Sequence, residues 1–232
     1  MKTAPFTGFH HQTIKFLKSI QKNNNKPWFE AHKSDYEHII KYPSMAYINE
    51  MGEHLIALVP SIKAYPKVGG SLFRIYRDVR FAKDKTPMKS KIGFLFWQGN
   101  AHRMQSASFY MHYDSFEVFY ATGIRSFKAP LLKTYREYIR DVKNAQALHS
   151  ILNDLVEKGY QLPPPHFKRY PKGFKQEDPY SYLSLFNAVY AYKIFPLDDT
   201  FFKNEEFIDR GFAIYEDMLD LHTWVHELTL SA

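Results

Sequence analysis

The spacing of apolar residues changes character twice along the chain, and those two changes confine the fold more tightly than any other feature. As far as Val59 the period is helical. Ile14, Leu17 and Ile20 recur every three residues, which makes His10–Gln21 a short helix stopped by the run Asn23-Asn24-Asn25. Pro27 suits a first helical turn, and Trp28, His32, Tyr36, Ile39 and Ile40 continue at helical spacing, predicting a second helix over Lys26–Lys41. Tyr47, Ile48, Met51, Leu55 and Leu58 give a third from about Pro43 to Val59, ended by Pro60.

After Gly69-Gly70 the pattern alternates, predicting strands at Ser71–Phe81, Ile92–Trp97, Ser108–Tyr113 and Glu117–Ile124. Short turns between the later strands favour hairpins. Helical spacing returns at Pro130–Val142 and Ala145–Lys158, the latter ended by Gly159. A proline-rich basic loop then runs from Leu162-Pro163-Pro164-Pro165 through Phe174, followed by a helix near Pro179–Val189 and a long final helix near Asn204–Leu228. The expected class is α+β: a central, mostly antiparallel sheet of about four or more strands flanked by N- and C-terminal helices. With no internal repeat and no low-complexity linker, the 232 residues read as a single domain, 1–232.

The chain has no cysteine, which excludes thiolate nucleophiles, disulfides and cysteine-held zinc or iron–sulfur centres. Met1–His11 has no signal-like apolar run and no segment approaches membrane-spanning length, so a cytoplasmic protein without a membrane partner is expected. A formal charge of +7 and a pI near 9.3 favour anionic partners. The charge is concentrated: Ser71–Lys91 holds Arg74, Arg77, Arg80, Lys83, Lys85, Lys89 and Lys91 against Asp78 and Asp84. Lys203–Glu227 is acidic and reads as a solvated helix surface.

Within Phe73–Phe81 strand alternation puts Arg74, Tyr76, Asp78 and Arg80 on one face, and Arg77 on the other with Phe73, Ile75, Val79 and Phe81. Two arginines flanking Tyr76, with Lys83, Lys85 and Lys89 following, suit bidentate contact with a phosphate or carboxylate. The competing reading is a solvated face whose charges pair with acidic residues of the terminal helix. Arg77, among apolar neighbours, is expected to be mostly buried against a carboxylate from a packing helix, unless a local bulge turns it into the same site as Arg74 and Arg80.

Arg74, Arg77-Asp78, Arg80-Phe81 and Asp84-Lys85 resemble the signature of the bacterial domain-of-unknown-function family 2461: arginine, two residues, Arg-Asp, one residue, Arg-Phe, a spacer, Asp-Lys, two residues and tyrosine. The resemblance extends to Asn24-Asn25-Lys26-Pro27-Trp28-Phe29-Glu30-Ala31-His32-Lys33, to Tyr110-Met111-His112 and to Lys168-Arg169-Tyr170-Pro171-Lys172-Gly173-Phe174, and so covers nearly the whole chain. Met88 stands where the family pattern has tyrosine, and no role of that phenol carries over. The resemblance implies a real site at the motif but no reaction.

Other constellations are weaker. His222 and His226 lie four apart on one predicted helix face, at metal-ligand spacing, but no glutamate follows the first as in a zinc-protease motif, and no metal is expected there. Phosphate-cradling glycine loops and serine nucleophile elbows are absent. No cofactor is called for. The leading expectation is binding of a small anionic ligand, phosphate- or carboxylate-bearing, in a pocket of the sheet face and the basic loop. Arg74, Arg77, Arg80, Asp84, Lys85, Lys168 and Arg169 would bind it. Asp78 would orient the arginines, and if chemistry occurs His112, His32 or Asp78 is the catalytic candidate. The alternatives are a nucleic-acid-binding protein, and an interaction or structural module without catalysis.

Overall fold

The protein, seen in a computed structural model, is described over residues 5–197 and 206–232. The N-terminal helices are α1 (His11–Lys22), α2 (Lys26–Ala31), α3 (Lys33–Tyr36) and α4 (Tyr42–Leu58). Each asparagine of the predicted stop has its own task. Asn23 closes α1, its backbone N–H and its Nδ2 both donating to the Ser19 carbonyl at 3.0 and 3.1 Å. Asn25 caps α2 by accepting from the Trp28 N–H at 3.0 Å. Asn24 reaches the motif segment described below.

The second and third predicted helices are joined. Glu37–Lys41 forms a π-helical turn between α3 and α4, in which the Tyr42 N–H donates five residues back to the Glu37 carbonyl. Pro43 supplies the reason: it has no N–H for the Ile39 carbonyl, and its ring would collide with that carbonyl in a straight α-helix. The carbonyl instead accepts from the Thr13 hydroxyl of α1 at 3.2 Å.

The sheet has four antiparallel strands, β1 (Ile92–Trp97), β2 (Ser108–Tyr113), β3 (Glu117–Ile124) and β4 (Val189–Pro196), in the order β1-β2-β3-β4. The expected α+β class and antiparallel sheet are therefore found, with two exchanges of element. Ser71–Phe81 is not a strand, and its β-pairing is confined to isolated bridges of Leu72 with Val68 and Phe94 and of Tyr76 with Met88. The fourth strand instead begins at the last residue of the helix predicted at Pro179–Val189 and runs on over residues that carried no prediction, and within the predicted helix only a 3₁₀ turn, Ser181–Leu185, forms. That turn begins at Tyr180, whose φ of 58° is left-handed and breaks any α-helix there. Gly123, φ 122°, lets β4 approach β3: a Cβ at that position would lie 2.2 Å from the Val189 carbonyl oxygen.

Helices α5 (Ala129–Tyr138) and α6 (Val142–Glu157) separate β3 from β4, and α7 (Glu206–Asp217) and α8 (Leu219–Leu230) end the chain. The predicted final helix is thus two, broken at Met218, and its predicted start at Asn204 lies outside the described residues. At the break, the Asp217 carboxylate accepts from the Tyr160 hydroxyl at 2.9 Å and from the Lys158 ammonium at 3.2 Å.

The described residues form two compact units. The first draws on Met1–Phe96, Tyr110–Tyr120 and Ile194–Ala213, the second on Trp97–Phe109, Ala121–Lys193 and Ile214–Ala232. The first has an aromatic core in which Phe9 lies 4.7 Å from Tyr113 and 5.5 Å from Phe207, and Tyr47 lies 4.9 Å from Phe94, between ring centroids. Each such buried ring contributes roughly 1.5–3 kcal/mol by leaving water. In the second, α5 and α6 pack on α8, the Trp224 indole donates to the Asn144 carbonyl at 3.1 Å and the Tyr135 hydroxyl to the Leu183 carbonyl at 2.8 Å. Among the described residues no helix is long and apolar enough to cross a membrane.

Candidate functional site

The motif belongs to the first unit and forms an irregular hairpin along the β1 side of the sheet. Backbone bonds Phe73 N–H to Gly93 O, Arg77 N–H to Pro87 O and Lys89 N–H to Ile75 O, at 2.8 to 2.9 Å, run its two limbs antiparallel, and leave Asp78–Thr86 as the tip. The Asn24 side chain extends this pairing: its Nδ2 donates to the Met88 carbonyl and its Oδ1 accepts the Met88 N–H, both at 2.9 Å. The Tyr76 hydroxyl donates to Glu30 at 3.0 Å. Two stretches named together in the sequence, Asn24–Lys33 and Arg74–Lys85, are thereby fastened to each other. Met88 is buried, and its backbone is the part that Asn24 grips.

Although no strand forms, the alternation of faces holds through most of the segment. Arg74, Tyr76, Asp78 and Arg80 are exposed, while Phe73, Ile75, Arg77 and Val79 are buried or half-buried. Phe81 departs from the expectation that placed it with the apolar set: it is 95% exposed at the tip. The Arg80 guanidinium lies 5.9 Å from its ring centroid.

The charges of the tip brace one another. Asp78 takes Arg80 side-on, Nε to Oδ1 at 2.9 Å and Nη2 to Oδ2 at 2.7 Å, and this pairing holds the Asp78 carboxyl down at about 2. Arg77 donates to Asp84 and to the Thr86 hydroxyl, and Asp84 also accepts the Thr86 N–H at 2.9 Å, which with Arg77 keeps its carboxyl at about 2. Arg77 is 29% exposed in its side chain, so it is half-buried, and its carboxylate partner comes from the same hairpin instead of a packing helix. Lys85 straps the tip, donating to the Val79 carbonyl at 2.9 Å and the Arg80 carbonyl at 3.5 Å. Arg74 is exposed and its guanidinium makes no hydrogen bond or ion pair among the described residues.

The histidine candidates sit elsewhere in the first unit. His32 is stacked on Trp28, 4.1 Å between centroids, and its Nδ1 is 2.8 Å from the Trp28 carbonyl. His112 is buried on β2, its ring 4.8 Å from Phe119 and nearly parallel to it. Tyr110 of the same face has its hydroxyl above Gly93 and its ring 6.0 Å from Phe73 of the motif limb. Both imidazoles are thus built into aromatic packing. A cleft of about 530 Å³ opens in this unit between Phe6–His11, His38 of the π turn and Tyr42 at the start of α4. It is not legible in the sequence, because His10 and His11 meet His38 only through tertiary structure.

Lys168 and Arg169 belong to the second unit, where both are exposed and make no side-chain hydrogen bond or ion pair among the described residues. Their loop is fixed through two arginines, one on α5 and one just past its end: Arg136 lies 4.7 Å over Phe167 and Arg140 5.3 Å over Phe174. Gly173, φ 88°, lets the loop pass Arg140, whose Nη2 would be 2.3 Å from a Cβ there. In the same unit His222 is 1% exposed, stacked on Phe109 at 4.3 Å, with its Nε2 3.1 Å from Gln98 Oε1. Burial, and secondarily His226, lowers its pKa to about 3, so it is neutral at physiological pH. Among the described residues no group of three or more histidine or carboxylate side chains is placed to hold a metal ion.

No curated protein and no solved structure matches the chain. The family described as conserved hypothetical protein (DUF2461) matches residues 12–224, a span that contains the Asn24–Lys33 anchor, the motif hairpin and the basic loop. By that match over nearly its whole length, the chain belongs to the DUF2461 family.

Proposed function

We propose that the motif hairpin is a binding element for a phosphate- or carboxylate-bearing anion. The observation that carries the reading is the self-bracing of the tip: Arg74–Lys85 sets five cationic side chains against two carboxylates, and both carboxylates hold guanidinium groups in fixed orientations. An arginine gripped on one edge keeps its remaining N–H donors for a ligand, at less entropic cost than a free one. Asp78, ionised down to about pH 2, is suited to orienting Arg80 and unsuited to donating a proton near neutrality. His32 and His112, engaged in stacking, make no equally good case for proton transfer, so binding is the favoured activity. Lys168 and Arg169 form a second basic surface of the same kind. A cytoplasmic setting suits a chain without cysteine, and a bacterial source is what the family resemblance implies.

Thermal-shift titration with pyrophosphate tests the reading. Wild-type protein is expected to gain stability with the logarithm of ligand concentration above Kd and to lose the gain as salt rises. Arg80→Ala is expected to fold normally but to shift much less. Equal concentration-dependent shifts in the two proteins would remove Arg80 from the site.

A further inference from the structure

We propose that the anion taken by this hairpin is single-stranded nucleic acid, with Phe81 as the platform on which a base stacks; the inference rests on the anion-binding reading above. Phe81 is the most exposed of the large apolar side chains among the described residues, at 95%. A phenyl group left in water at the end of a hairpin contributes nothing to the core, and here it is set between cations instead of other apolar groups. Arg80 precedes it with its guanidinium 5.9 Å from the ring, and Lys83 and Lys85 follow within four residues.

The ring is presented by an ordered backbone. Lys85 ties the Val79 and Arg80 carbonyls just ahead of Phe81, Asp78 fixes Arg80, and Arg77 with Asp84 and Thr86 closes the base of the tip. Such bracing lowers the conformational entropy lost when a ligand is gripped. An aromatic face flanked by phosphate-seeking cations is the arrangement with which proteins hold unpaired bases, since every base has a π-face and every nucleotide a charge. In duplex DNA or RNA the base faces are covered by their neighbours, and a single protruding phenyl has nothing to stack on. A membrane surface fits less well: one protruding ring offers little apolar area to insert.

Fluorescence anisotropy with a labelled twelve-residue oligothymidylate, its duplex with oligoadenylate, and vesicles containing phosphatidylserine decides the matter. Wild-type protein is expected to bind the single strand more tightly than the duplex. Phe81→Ala is expected to weaken single-strand binding roughly 5- to 100-fold without changing its salt dependence, the loss of one stacked base. Arg74→Ala and Arg80→Ala should each lower the slope of log K against log salt by about 0.7. Phe81→Trp should restore affinity, with indole emission quenched on saturation. Equal affinity of wild-type and Phe81→Ala protein for the oligomer overturns the stacking assignment, as does emission of Phe81→Trp that saturation leaves unchanged. Dependence on Phe81 seen only with vesicles also overturns it. The anion reading survives those outcomes if pyrophosphate shifts still depend on Arg80, and falls with them if they do not.

Discussion

The motif hairpin of the first unit and the basic loop of the second are both irregular, both rich in arginine and lysine, and ordered by opposite means. In the hairpin, cations are met by carboxylates in water: Asp78 on Arg80, Asp84 on Arg77. In the loop, ordering comes from rings, with Arg136 of α5 and Arg140 just beyond it laid over Phe167 and Phe174. The first device spends the loop's own charges on its shape and is exposed to salt. The second uses charges borrowed from outside the loop and leaves Lys168 and Arg169 outward. The same contrast extends to titratable groups, since the hairpin keeps its carboxylates ionised while the second unit keeps His222 neutral by burial.

The largest expected effect sharpens that last difference. His222 titrates near 6.5 when unfolded and near 3 when folded, so below pH 6.5 the unfolded chain binds the extra proton and stability falls with pH until about 3. Between pH 6.5 and 4.5 the loss approaches about 2–3 kcal/mol, from roughly 1.4 kcal/mol per pH unit. Denaturant melts should show it, with the slope between pH 6.5 and 5 much reduced in His222→Gln; an unchanged slope in that variant would assign the dependence to other groups.

Next in size is Gly173→Ala, which puts a Cβ against Arg140 and forces a left-handed φ on alanine, at about 1–2 kcal/mol. Amide exchange should rise in the 167–174 loop while the hairpin tip stays as it was. Arg77→Ala follows. Half-buried against an exposed carboxylate, Arg77 is expected to cost about 1 kcal/mol on removal, well below the 3–5 kcal/mol of a fully buried pair, and a larger loss in urea melts would mean the pair is more sequestered than its exposure indicates. Arg80→Ala comes last. Its pair with Asp78 is exposed, and no measurable change in midpoint is expected at physiological salt. A drop in midpoint would erase the distinction between a side chain kept for binding and one kept for structure.

Three strands could be read from the chain because β1, β2 and β3 are near neighbours in sequence with dense β-branched and aromatic residues. β4 is not among them, since its partner β3 lies beyond two helices and the basic loop, and no short turn ties Val189–Pro196 to a neighbouring strand in sequence. The motif's exposed face was legible from alternation alone, which depends on an extended backbone and not on a sheet. What alternation could not give is which aspartate meets which arginine, or that Phe81 turns outward, because the closure of the tip by Lys85 and Thr86 decides both. The helical run from Lys33 to Leu58 was misread as two helices for a related reason: Pro43 looks like a beginning, and only the Thr13 hydroxyl waiting for the Ile39 carbonyl lets the helix run through it.

That π turn also makes chain length at Glu37–Lys41 a stricter requirement than residue identity. It holds one residue more than a straight helix would use, so it sets the rotational phase of everything after it. Deleting a single residue there would remove the extra position and turn α4 by about 100°. Tyr47, Ile48, Met51 and Leu55, all fully buried, would swing away from the rings they pack on. In relatives of this protein, substitutions within the turn should therefore be far better tolerated than insertions or deletions.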